Sequence, residues 1–196
     1  MSAKTKKAKK AQANAFDEMW ENPMKRPYLE KVVLNIGVGA GGEELERAVT
    51  VLETISGKTA IKTVSKKNIK EFNLRKGRPI GCKVTVRGNE AEKLLKRLII
   101  VNNNKILRKS FDDYGNFGFG IMEHISIPGV EYDAQTGLWG LDIMGRLVRP
   151  GMRVKNRRKQ RARIPKHHYV SREEAQYYLE KIYNIKIVKE LDLEFF

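Results

Sequence analysis

The stretch KVVLNIGVGAGGEELERAV, residues 31–49, runs from an apolar segment through a glycine-rich turn into a helical pattern. Val32, Leu34 and Ile36 alternate with polar residues there, and the stretch CKVTVRG at 82–88 alternates in the same way. Because successive strand side chains point to opposite faces, one sheet face is apolar and the other is basic and polar. Strands of doubly wound parallel sheets instead read as continuous apolar runs. The alternation therefore predicts an α+β fold with a mainly antiparallel sheet and helices packed on one face.

The glycine-rich turn raises the alternative of a dinucleotide site. Gly37, Gly39 and Gly42 have the spacing G-x-G-x-x-G, which in such sites lets the backbone approach a pyrophosphate. The motif also needs an acidic residue about 20 positions on, at the end of the next strand. The next predicted strand, 59–65, carries a single lysine as its charge. We interpret the glycines as a tight turn, and keep a nucleotide-dependent enzyme as the rival hypothesis.

Helical and strand patterns alternate along the chain. The first helix spans Leu45 to Ile55 and ends at Gly57. The second runs over 89–101, with Asn89 and Glu92 as its N-cap pair, and the third follows a capping box of Ser171 and Glu174. The predicted buried face of the first helix is Leu45, Ala48, Val49, Leu52 and Ile55. That of the second is Ala91, Leu94, Leu95, Leu98 and Ile99, and that of the third is Ala175, Tyr178, Leu179 and Ile182. Strands are predicted at 31–38, 59–65, 81–87, 117–126 and 138–148.

The composition indicates a polyanion as the partner. Lys and Arg number 39 against 23 acids, which gives a net charge of +16. The chain has no run of 18 apolar residues, so we expect no membrane partner, and no apolar segment follows the first lysines, so we expect a cytoplasmic protein. A single cysteine, Cys82, excludes an internal disulfide and a multi-cysteine zinc site. We expect neither a cofactor nor a metal.

Positive charge is concentrated in three segments. Residues 1–12 form a lysine-rich tail that we expect to be flexible, and 13–196 form a single domain. A basic hairpin tip is predicted at 73–81, with Arg75, Lys76 and Arg78 as candidate nucleic-acid contacts. A basic arm covers 149–168, with nine cations and no acid between 149 and 166. Its candidate nucleic-acid contacts are Arg153, Arg157, Arg158 and Arg161, because guanidinium groups suit phosphate. A solvated loop is the alternative.

Five side chains that could suggest other chemistry have simpler interpretations. His167 and His168 are adjacent and lack a cluster of further ligands, so we interpret them as surface or RNA-contacting residues. His124, within an apolar strand pattern, is interpreted as structural. The adjacent acids at 112–113 are assigned to a turn, since neighbouring side chains of a strand face apart.

Five motifs in order resemble one family: KVVLNIGVG, LETISGKTAIKTVSKKNIKEF, GRPIGCKVTVRG, SFDDYGNFGFGIMEHI and YDAQTGLWGLDI. This is the large-subunit ribosomal protein family numbered five in the bacterial series, which binds 5S rRNA. The resemblance covers about residues 22–185, and the segments NPMKRPYLEKVVLNIGVG and GNFGFGIMEHI are similar to its archaeal and eukaryotic branch.

The resemblance implies a non-catalytic protein of the central protuberance. Its concave sheet face would bind a 5S rRNA loop, its basic tip would reach P-site tRNA, and it would also meet large-subunit rRNA, neighbouring ribosomal proteins and a small-subunit bridge protein. The implied rRNA contacts are Lys31, Asn35, Lys58, Thr85 and Arg87. Bacterial members typically have glutamine where Lys58 stands, which favours a phosphate contact there. A DNA-binding protein is disfavoured, because no helix has Arg and Asn crowded on one face at its N-terminus.

Overall fold

The computed structural model describes residues 14–39, 41–131, 133 and 135–189. The predicted basic tail, 1–12, lies outside the described residues. The helices are α1 at 14–20, α2 at Glu43–Ser56, α3 at Asn89–Val101, α4 at Arg153–Asn156 and α5 at Arg172–Tyr183. The strands are β1 at Tyr28–Gly37, β2 at Ile61–Val64, β3 at Pro79–Arg87, β4 at Lys105–Leu107, β5 at Asn116–Ile121, β6 at Leu141–Val148 and β7 at Lys186–Val188. Within the described ranges, no helix is long and apolar enough to cross a membrane.

The main sheet has five strands in the order β2-β3-β1-β6-β5, and every neighbouring pair is antiparallel. This confirms the predicted α+β class. A dinucleotide-binding unit needs parallel strands joined by a crossover helix. Here β1 leads through the glycine turn into α2, but both neighbours of β1 run antiparallel to it. The turn therefore belongs to a different architecture.

Helices α2 and α3 pack against β1 and β3. The alternating residues predicted to face inward are buried, namely Val32, Leu34, Ile36, Cys82, Val84 and Val86. The predicted apolar residues of α2 and α3 are buried too, with one exception in α2. Val49 is only partly buried, and Val51, which was not predicted to face the core, is buried. Helix α2 ends as predicted at Gly57, whose φ of 64° is the left-handed conformation that glycine adopts freely.

Two predicted helix ends differ from the structure. The N-cap of α3 is Gly88, with a φ of 65°, so Asn89 is the first helical residue and makes no cap hydrogen bond. Ser171 does cap α5 by accepting a hydrogen bond from the Glu174 amide, at 3.3 Å. At the C-terminal end of α5 the predicted core residue Ile182 is 38% exposed, while Tyr183 is buried.

Three predicted strands were too long, and two strands were missed. Strand β2 covers only Ile61–Val64 of the predicted 59–65. Strand β5 ends at Ile121, and a 3-10 turn at His124–Ser126 replaces its predicted end. Strand β6 begins only at Leu141. The missed strands, β4 and β7, form a separate parallel pair. Each has three residues, which is too few to show a period in the sequence.

His124 is buried, and its Nδ1 accepts a hydrogen bond from the Trp139 amide at 3.2 Å. Burial lowers its pKa from the ordinary histidine value. The structural interpretation of His124 is confirmed, although the residue lies in a 3-10 turn. The adjacent acids also lie in a turn, where the Asp112 carboxylate accepts from the amides of Tyr114 and Asn116.

Candidate RNA interface

The polar face of the sheet is organised in rows across β3, β1 and β6. Lys31 lies between Arg87 and Arg146, and the next outward row places Val33 between Thr85 and Met144. In a third row Asn35 lies between Lys83 and Asp142. The structure thus brings Lys31, Asn35, Thr85 and Arg87 together on one face, as the alternation predicted. We call this surface the outer face.

Sequence reasoning missed the contribution of β6 to the outer face. Arg146 and Met144 project from β6, and the signal was available in LDIMGRLV, whose alternate residues are buried. Across β5, Gly118 lies opposite Met144. These residues, together with Lys31, Asp112 and Asn116, line a shallow depression of about 480 Å³. Its lining combines apolar surface with two cations, one carboxylate and an amide, so it offers a nucleobase both an apolar contact and hydrogen-bonding groups at its edge.

Lys58 is not part of the rows of the outer face. It follows α2, and its Nζ lies 2.7 Å from a carboxylate oxygen of Glu90, near the start of α3. Both side chains are about half exposed. Its predicted phosphate contact would therefore have to compete with, or replace, a surface ion pair, and such pairs contribute little.

Residues 73–78 of the predicted tip are part of a longer loop, 65–78, between β2 and β3, whereas 79–81 belong to β3. Ile69 and Leu74 exchange two backbone hydrogen bonds, at 2.9 and 3.0 Å, and Asn73 is left-handed with a φ of 55°. The apex is therefore 70–73, and it presents Phe72 with 69% of its surface exposed. Phe72 is a candidate contact that the sequence reading missed, because that reading started the tip at 73.

The three predicted cations of the tip are all exposed on the returning limb of the loop. The limb is held by backbone and side-chain hydrogen bonds. The Lys76 amide donates to Oδ1 of Asn68 at 2.7 Å, and the Ser65 amide donates to the Arg78 carbonyl at 2.9 Å. Arg75, Lys76 and Arg78 thus stand on an internally braced loop.

The basic arm is anchored at both ends. Val148, Met152 and Ile164 form a small second core, with Tyr169 packed against it. Arg149 is buried and forms a 2.6 Å ion pair with Glu174, so this arm residue serves the fold. The four predicted RNA contacts of the arm, Arg153, Arg157, Arg158 and Arg161, are exposed.

The histidines of the arm also have contacts within the protein. Nε2 of His168 lies 2.9 Å from the Pro150 carbonyl, and the His167 carbonyl accepts from Arg149 at 3.2 Å. Among the residues described, no group of three or more His, Cys, Asp or Glu side chains could hold a metal ion.

An antiparallel α+β domain with a polar outer face, a braced basic loop and a basic arm is a polyanion-binding protein by class. Comparison with known proteins gives the family. The family model of ribosomal protein L5 matches residues 22–75, and the model for the C-terminus of the same ribosomal family matches 79–187.

Three archaeal relatives carry the name large ribosomal subunit protein uL5. The protein of Sulfurisphaera tokodaii is 47% identical over 86% of this chain and 96% of its own length. That of Pyrobaculum aerophilum is 45% identical over 85% and 93%, and that of Methanococcus vannielii is 42% identical over 90% and 99%. The chain belongs to the uL5 family and is of the archaeal type. It is a structural, non-enzymatic constituent of the large ribosomal subunit, located on ribosomes in the cytoplasm.

Proposed function

We propose that this protein binds 5S rRNA in the central protuberance through its outer face and contacts P-site tRNA through the loop 65–78. The observation that carries the first part is the register of β1 and β3. It aligns Lys31 with Arg87, Val33 with Thr85, and Asn35 with Lys83 on the face away from α2 and α3.

Such a face suits RNA for a physical reason. Side chains on paired strands are held by the backbone ladder, so little further ordering is needed on binding. Hydroxyl and amide groups such as those of Thr85 and Asn35 can bond to base edges and 2′-hydroxyls, while Lys31 and Arg87 offer charge to phosphates. In this proposal Lys58 and the exposed arginines of the arm, 153, 157, 158 and 161, contact rRNA phosphates around that face.

The tRNA contact is supported by the loop. Between 65 and 78 there are six lysines and arginines and one acid, and no core depends on the three exposed cations. Closing such a loop costs entropy and brings like charges together, which a polyanion would offset. Contacts of this kind position a backbone and carry little sequence information.

A third surface supports contact with a basic protein, such as the proposed small-subunit bridge protein. From Met122 to Gly140, between β5 and β6, the chain has no lysine or arginine and three acids, in contrast to its net charge of +16. Met122 and Leu138 are exposed there at 75% and 55%. Acids that repel phosphate, placed beside apolar side chains, favour a protein partner over RNA.

The test of the first part is the double variant N35A/T85A with a 5S rRNA transcript. Loss of two hydrogen bonds of ordinary worth weakens binding by about 1 to 3 kcal/mol in total, and melting is unchanged because both side chains project from the solvent-facing side of the sheet. The control is Thr54→Ala, an exposed threonine on α2 in the opposite layer. Unchanged 5S affinity of the double variant in filter binding would refute the assignment.

The tRNA contact is tested separately. Neutralising Arg75, Lys76 and Arg78 to Gln should leave 5S binding and melting intact but loosen P-site tRNA on reconstituted ribosomes, more so at higher salt. The matched control neutralises three exposed cations elsewhere, namely Lys93, Arg108 and Lys109. Loss of 5S binding with normal tRNA retention would assign the loop to the 5S interface instead.

A further inference from the structure

One acid lies within the basic row of the outer face. In the pairing of β1 with β6, the register shifts between Leu29 and Lys31, so Glu30 is the extra residue of a β-bulge. The bulge lets the Glu30 carboxylate reach the side chains of the outer row. Its Oε1 lies 3.5 Å from Arg87, and its Oε2 lies 3.3 Å from Nε of Arg146.

The three side chains differ in exposure. That of Glu30 is 18% exposed, while those of Arg87 and Arg146 are 60% and 24% exposed. Arg87 is thus largely open to solvent, whereas Glu30 and Arg146 are mostly covered. One arginine comes from β3 and the other from β6, with Lys31 of β1 between them in the row.

The carboxylate is also incompletely bonded. Oε2 of Glu30 is a buried atom without a hydrogen bond of good geometry, although Arg146 is within ion-pair distance. A buried acceptor left in this state is unfavourable. A negative charge is likewise unfavourable on a face that receives phosphates. A contribution of Glu30 to RNA binding would offset both the unsatisfied oxygen and the repulsion of phosphate.

We propose that Glu30 is a positioning and specificity residue of the RNA face. Its carboxylate holds Arg87 and Arg146 as a pre-ordered pair on either side of Lys31, so that cognate RNA meets guanidinium donors in fixed places. Its charge repels RNA whose phosphates are not matched to that pair. This inference rests on the proposed 5S site and adds the means by which that site discriminates.

The two halves of this role act differently on two kinds of RNA. Pre-ordering raises the affinity only for RNA whose groups coincide with the fixed donors. Repulsion lowers the affinity for every RNA, and most for those that cannot use the pair. Removing the charge should therefore lower the affinity for 5S rRNA while leaving that for unrelated RNA equal or higher.

The experiment compares full-length wild type and variants in binding to a 5S rRNA transcript and to a scrambled transcript of the same length. For Glu30→Gln we expect 5S binding to weaken by about 5- to 10-fold, while scrambled-RNA binding stays equal or tightens by up to about 3-fold. Glu30→Asp keeps the charge but shortens the reach, so it should lose 5S affinity without any gain for scrambled RNA.

The control for charge alone is Glu44→Gln. Glu44 is an exposed acid of α2, in the layer opposite the outer face, and belongs to no proposed RNA contact. Its neutralisation should change the affinity for both RNAs equally and leave their affinity ratio unchanged. If Glu30→Gln behaves in the same way, Glu30 is only one more negative charge and the inference is wrong.

Two further readouts separate the remaining outcomes. Nitrogen relaxation of the arginine Nε groups in the RNA-free protein should show that Arg146 gains mobility in Glu30→Gln; unchanged mobility would overturn the positioning role. A lower melting temperature with an unchanged affinity ratio would make Glu30 a purely structural bulge residue. If wild type itself does not prefer 5S over scrambled RNA, the proposed function fails, and the relaxation measurement still decides whether Glu30 orders the arginines.

Discussion

The buried ion pair between Arg149 and Glu174 gives a sharp test of how the basic arm is attached. The pair spans 2.6 Å, and the two side chains are 10% and 1% exposed. Glu174 also accepts a hydrogen bond from Nε1 of Trp20 at 3.1 Å, so it joins α5, the arm and the N-terminal helix α1. We expect Arg149→Met to destabilise the whole domain, because it leaves a buried carboxylate without its cation.

The size of the effect follows from burial. Removing one partner of a buried pair costs about 3 to 5 kcal/mol, and the retained Trp20 bond places this case near 3 kcal/mol. For a chain of this length, each kcal/mol lowers the melting temperature by about 2 to 4 °C. Calorimetry should therefore show a decrease of about 6 to 12 °C in Arg149→Met.

Two comparisons make the reasoning refutable. Arg158→Met, at an exposed position of the same arm, should melt within about 1 °C of wild type. The double variant R149M/E174M removes both charges, and should be more stable than Arg149→Met alone. A single variant that melts within 2 °C of wild type, or a double variant that loses still more stability, would contradict the role assigned to the pair.

Three further outcomes are expected. Gly145→Ala should destabilise the domain by about 1 to 3 kcal/mol, because a β-carbon there would lie 2.2 Å from Cζ of buried Phe117. The control in chemical denaturation is Gly37→Ala, in strand β1, whose β-carbon would meet nothing within 4 Å and whose φ is not left-handed. Burial lowers the pKa of His124 in the folded state. The neutral imidazole therefore contributes fully to stability above about pH 6.5, and this contribution is lost as the pH falls below that value. We expect His124→Gln to show a smaller decrease in melting temperature between about pH 7 and pH 5 than wild type. Phe72→Ala should leave melting unchanged but loosen tRNA on reconstituted ribosomes, by about 1 to 3 kcal/mol if Phe72 stacks on a base; equal tRNA retention would show that the apex makes no such contact.

The sequence predicted best what depends on local periodicity. The inward residues of β1 and β3 and the stripes of α2 and α3 were evident, because periods of 2 and 3.6 are visible in a few consecutive residues. Long-range partners were not evident. In the sequence, Arg149 is indistinguishable from the other cations of the arm. Only the folded chain places it beside Glu174, which is 25 positions away. The bulge at Glu30 does interrupt the alternation, because Glu30 and Lys31 both face away from the core between buried Leu29 and Val32. The sequence shows these two consecutive polar residues, but not that the Glu30 carboxylate would reach arginines from β3 and β6.

The distribution of ion pairs explains how a chain of charge +16 can fold before it meets RNA. Several cations away from the outer face are paired within the protein, namely Lys62 with Glu46, Lys58 with Glu90, and Lys181 with Asp17. The exposed cations of the loop 65–78 and of residues 153–163 do not take part in the core. Because these cations are exposed, their mutual repulsion acts across solvent and is screened by salt, so it opposes folding only weakly. Added salt should thus slightly raise the melting temperature of the free protein. The same salt should weaken its RNA complexes, because only complex formation is driven by the release of counterions, and salt reduces that driving force.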